Sequence, residues 1–142
     1  MAAWLAPLAR AYGAIYKDQR GRDYVGMRDY YELLKNLRRT LAESGAELTP
    51  DTLTFALMRN FGGRRDVAAR VNRVFGAECF GGAAAAGPPP SALALVRASL
   101  ADDASRYLML LTRNGVALPL LFSCGLVARG GGALDALSLI HI

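Results

Sequence analysis

The sequence predicts a mostly α-helical protein: a small helical bundle, then a linker, then the start of an α/β unit. Three observations carry this. Four consecutive segments repeat apolar residues at three- and four-residue spacing, which is the mark of a single buried helix face. Glycine pairs, or a hydroxyl residue followed by proline, punctuate those segments where helices should stop or start. A Gly/Ala/Pro-rich tract follows, and after it comes a compact apolar run of strand length.

The first helix is expected over residues 4–16, where Trp4, Leu5, Leu8, Tyr12, Ile15 and Tyr16 form one stripe before "KDQRGRD" breaks it. The second is expected over residues 27–43, with Met27, Tyr30, Tyr31, Leu34, Leu37 and Leu41 inward and Lys35, Arg38 and Arg39 outward. Ser44 and Gly45 stop it, because glycine readily takes the left-handed conformation that closes a helix. Thr49-Pro50 opens the third: the hydroxyl can accept an orphan amide, and proline has no amide to orphan. Its stripe is Leu53, Ala56, Leu57 and Phe61, and Gly62-Gly63 end it. The fourth, residues 66–75, sets Val67, Val71, Val74 and Phe75 opposite Arg70 and Arg73. Short helices with one apolar stripe must bury it against each other, so residues 1–75 read as one bundle.

Residues 76–90, "GAECFGGAAAAGPPP", read as a linker of low complexity. Beyond it Ser91 should cap a short helix to about residue 100. "RYLMLLT", bounded by Asp102-Asp103 and Asn114-Gly115, is expected as a buried strand, and "ALPLLFS" as a short helix followed by a second buried strand. Residues 91–136 are therefore expected to open an incomplete α/β unit. The last six residues, "LSLIHI" at 137–142, fit neither pattern. The codons CTG TCT CTT ATA CAC ATC would give them, and that string resembles the mosaic end of a transposase sequencing adapter. They are expected to be translated adapter, with the natural chain continuing in their place.

Composition narrows the function classes. With 53% hydrophobic residues in 142 and a mean hydropathy of +0.19, the chain has enough apolar surface to pack. No apolar run approaches the ~20 residues that span a bilayer, and the start lacks the order of a secretory signal, so a cytoplasmic location is expected. Seventeen basic against 12 acidic residues leave a net charge of +5, spread over several helices. That is too diffuse to predict a nucleic-acid partner. Cys79 and Cys124 lie outside any C-x-x-C pattern, and His141 is the sole histidine, so no zinc set is expected.

No G-x-x-x-x-G-K-[ST] phosphate loop is present. "GLVARGGG" from Gly125 spaces two glycines suitably but offers Gly131 and Gly132 where lysine and hydroxyl belong. It reads either as a degenerate phosphate loop behind a strand or as a frayed end. No acidic pair stands ready for magnesium, and no nucleophile has a positioned histidine; a complete catalytic site is not expected. One constellation remains, Gly26-Met27-Arg28-Asp29 at the start of the second helix. An arginine in the first turn lies beside amides that favour an anion, and its planar fork can grip a phosphate. Gly26, lacking a side chain, allows close approach, and Asp29 steadies the helix start by roughly 0.3–1 kcal/mol through the dipole. Equally, Arg28 could pair with Asp29, with Asp23 or with solvent alone.

Three segments carry a resemblance: "YVGMRDYYELLKNL", "ALMRNFGG" and "DASRYLMLLTRNGVAL". Together, in order and spacing, they resemble the mysterin-type giant RING-finger E3 ubiquitin ligases, which have a dynein-like AAA+ core. The resemblance spans about residues 12–123 and implies that the bundle is AAA+ lid-like, with the next unit's α/β core beginning after the linker. It implies that Arg28 matches the sensor-2 arginine, with Gly26 and Asp29 in support. It further implies ATP and magnesium in the parent protein, held by a core outside this chain, and zinc only in distant segments. The implied partners are adjacent AAA+ units of the same parent and the ubiquitin machinery. Pro119 and the Gly/Ala/Pro tract depart from the family pattern. The alternative to an AAA+ segment is a free-standing basic helical module that binds an acidic protein or nucleic acid.

Overall fold

The computed structural model describes residues 3–19, 25–62, 65–81, 89–102 and 115–125. Among them are six helices and no strand: α1 (Leu5–Asp18), α2 (Met27–Ser44), α3 (Pro50–Phe61), α4 (Arg65–Phe80), α5 (Ala92–Leu100) and α6 (Ala117–Ser123). The chain divides into two units, Met1–Pro90 and Ser91–Ile142.

In the first unit α1 packs on α4, α4 on α3 and α3 on α2. The shared core takes Leu8, Ala11, Tyr12 and Ile15 from α1, Leu33 and Leu37 from α2, Leu53, Ala56, Leu57 and Phe61 from α3, and Val71 and Phe75 from α4. Fully burying one large side chain of this kind contributes about 1.5–3 kcal/mol, far more than intrinsic helix propensity supplies. Arg70 of α4 pairs with Asp18 of α1, and Arg10 of α1 reaches Glu78 of α4 at 2.9 Å. Both pairs are largely exposed and add little beside the core.

Local signals place the end of α2 and both ends of α3 as expected. Gly45 closes α2 with φ 61°, in the left-handed region. Thr49 caps α3, its Oγ1 accepting from the Thr52 amide at 3.2 Å, with Pro50 in the first turn. At the far end of α3 a side chain on Gly62 would overlap the carbonyl oxygen of Met58, so glycine is required there.

Three expectations are corrected. The inward face of α2 is centred on Leu33 and Leu37, both fully buried, with Tyr30 and Leu34 partly buried beside them. Met27 and Tyr31 are 56% and 60% exposed. At ~100° per residue, Met27 falls to the side of that centre and Tyr31 toward the opposite face, and the position of α3 decides which of the competing apolar rows turns inward. Second, residues 76–80, expected as linker, are the last turns of α4: Gly76 is buried, and Cys79 and Phe80 pack against the core. The burial of those two side chains outweighs the ~1 kcal/mol cost of an interior glycine.

The third correction is in the second unit. There Ser91 caps α5, its Oγ accepting from the Ala94 amide at 3.1 Å, and Val96 is buried. "ALPLLFS" is helical throughout as α6, with Leu121 buried, so no strand begins within it. Pro119 sits in its first turn, where a missing amide costs nothing. The expected strand "RYLMLLT", residues 82–88 and the terminal residues 137–142 lie outside the described residues.

Candidate functional site

The start of α2 is assembled by residues from three helices. Val25, 1% exposed, precedes it, and the Gln19 side chain grips its backbone at both ends. Gln19 Oε1 accepts from the Val25 amide at 2.7 Å, and Gln19 Nε2 donates to the Val25 carbonyl at 3.0 Å. Gly26 follows as the N-cap in extended conformation, φ −91°. Its amide donates to Asp29 Oδ2 at 2.9 Å, so Asp29 is committed to the helix start. Asp29 is also held through its backbone, since Asn60 Nδ2 of α3 donates to its carbonyl at 2.6 Å. Behind this turn the ring of Tyr30 stacks on Tyr12 of α1, centroids 4.5 Å apart. Burial raises the Tyr30 phenol above its ordinary value, with Cys79 and Tyr12 adding to the rise.

The structure therefore brings Gly26, Arg28 and Asp29 together at one helix start, as the sequence places them. Arg28 is exposed, and among the described residues it has no hydrogen-bond or ion-pair partner. Its neighbour Asp29 serves Gly26 instead, and Asp23 lies outside the described residues. Among the described residues, no side chain caps the first-turn amides of α2. The result is a cation on a fixed base with a free head, beside uncapped amides. Chemically it can receive a phosphate oxygen, and nothing in it can cleave a bond. Gly26 is a weaker requirement than expected: a Cβ there would make only an ordinary 3.6 Å contact with Asp29 Oδ2.

Gln19 and Asn60 were not legible as site residues. Asn60 does lie inside "ALMRNFGG", which is the one signal pointing to it; Gln19 carries none. The thiols take no part. Cys79, expected in a linker, is half-buried on α4, and burial followed by the Glu78 carboxylate pushes it up to about 11, so it stays a protonated thiol at neutral pH. Cys124, expected at a strand end, is the C-cap of α6. Gly125 follows that helix with φ 74°, so "GLVARGGG" does not continue from a strand as a phosphate loop would require.

No family model matches the chain, and no solved structure matches it. Among curated proteins it is similar to E3 ubiquitin-protein ligase RNF213 of Mus musculus, with 32% identity over 130 residues. It is also similar to E3 ubiquitin-protein ligase RNF213 of Homo sapiens, with 30% identity over 133 residues. Each match takes in 83% of this chain and 2% of the relative. The E3 ubiquitin-protein ligase rnf213-beta of Danio rerio is 32% identical over 127 residues, 80% of this chain and 2% of that protein. The chain thus spans about 2% of the length of the curated relatives it matches.

Proposed function

This chain is a mysterin/RNF213-like segment, and on that premise we propose that its first unit is the lid of an AAA+ unit in an E3 ubiquitin-protein ligase of that kind. In this reading Arg28 is the lid's phosphate sensor. The nucleotide, ATP with magnesium, is held by a core outside this chain. ATP supplies the free energy of hydrolysis; the chain's own residues supply a cation and a rigid lever. When Arg28 meets the phosphate, the four-helix bundle moves with it, because the base of Arg28 is tied to α1 through Gln19 and to α3 through Asn60. Ubiquitin transfer belongs to other parts of such a ligase. The described residues include no helix long and apolar enough to cross a membrane.

The observation that supports this reading is the exposed arginine, without a partner among the described residues, on a braced helix start inside the segment that matches the ligases. Arg28→Ala in a ligase chain that includes the upstream core should lower ATP turnover about tenfold or more while leaving the helical circular dichroism unchanged. Turnover equal to the unsubstituted protein would end the sensor assignment.

A further inference from the structure

We propose that Asn60 is a positioning residue for Arg28, an inference that rests on the phosphate-sensor reading above. Asn60, within the segment "ALMRNFGG", stands 31 residues after Asp29, yet its side chain reaches that residue, which shares a peptide bond with Arg28. The Asp29 carbonyl has two lone pairs. Within the helix one serves the ladder, and Asn60 Nδ2 takes the other at 2.6 Å. Asp29 is thereby fastened twice, by its side chain to the Gly26 amide and by its carbonyl to α3.

Another polar contact between α2 and α3, from Arg59 Nη1 to Asn36 Oδ1 at 3.4 Å, lies farther along and is longer. The Asn60 bond acts at the first turn. A phosphate-binding arginine loses much of its value when its anchor shifts by ~0.5–1 Å. The long side chain is free to swing, so the precision must come from the backbone beneath it. Phe61, the next residue, is buried in the core and sets where Asn60 projects.

The test is a double-mutant cycle on ATP turnover in a ligase chain that includes the upstream core. Asn60→Asp keeps the shape but presents a carboxylate to the Asp29 carbonyl in place of a donor. It should lower kcat about three- to tenfold and leave KM for ATP within about twofold, in the same proportions as Arg28→Ala. In the Arg28→Ala background, Asn60→Asp should then change nothing further, since a positioning residue has nothing left to position. Asn60→Gln, which keeps an amide donor, should recover part of the rate. If Asn60→Asp fails to fold by circular dichroism, Asn60→Ala supplies the same cycle. Multiplying losses in the double variant, or an unchanged rate in Asn60→Asp beside a slowed Arg28→Ala, would overturn the positioning role and leave the sensor standing. An unchanged Arg28→Ala would remove both.

Discussion

The starts of α2 and α3 lie in one bundle and are built in opposite ways. At α3 the chain satisfies itself: Thr49 Oγ1 takes the Thr52 amide, Pro50 has no amide to satisfy, and Asp51 puts a negative charge at the positive end of the helix dipole. At α2 the N-cap is a glycine with no side chain, the first turn carries Arg28, and the bracing comes from elsewhere, from Gln19 and Asn60. A cation at that end opposes the dipole by about 0.3–1 kcal/mol, which Asp29 offsets in part. A start built for stability would look like that of α3. The α2 start gives up local capping and is held from outside, leaving its amides and its arginine open.

Both starts hang from the same core, and the largest expected effect removes both. Phe75, fully buried on α4, touches the common core, and Phe75→Ala should cost about 3–5 kcal/mol, read as a lower denaturant midpoint with an unchanged slope. Next in size is a change that separates the two ends. Gln19→Ala frees both backbone groups of Val25 and should cost about 1–3 kcal/mol. Amide exchange should accelerate through the first turn of α2 while that of α3 stays protected; equal acceleration in both would erase the distinction drawn here. Thr49→Ala is the mirror experiment, expected to cost about 1 kcal/mol, with faster exchange at Thr52 and no change at Tyr30. The smallest effect is the most telling. Arg28→Ala should leave stability unchanged or raise it by up to about 0.5 kcal/mol, because it trades an exposed cation at an unfavourable helix end for the best helix former. A loss above about 1 kcal/mol in thermal or denaturant unfolding would mean that Arg28 holds the fold.

Much of the bundle was legible from residue order. The α3 stripe of Leu53, Ala56, Leu57 and Phe61 is buried as its spacing predicts, and Ser91 and Thr49 cap the helices they precede. The site was legible as a cluster of neighbours, Gly26, Arg28 and Asp29, and illegible in what holds it. Leu33 was passed over because two apolar rows on α2 compete at similar spacing, and only the neighbour against which a helix packs selects between them. Residues 76–80 read as linker because glycine weakens a helix locally, whereas burial of Cys79 and Phe80 against residues far away in the chain keeps it intact.

By itself the sequence determined the interactions that close within about four residues: apolar stripes, the hydroxyl caps at Thr49 and Ser91, the left-handed Gly45, and the placing of Arg28 in a first turn. Tertiary structure decided what needs a partner across space: which face of α2 turns inward, how far α4 runs, and that Gln19 and Asn60 grip the backbone on either side of Arg28. The physical reason is the range of the forces. Helix caps and periodicity act between residues that are neighbours in every conformation of the chain, while a hydrogen bond across 31 residues exists only after the core has brought α2 and α3 together.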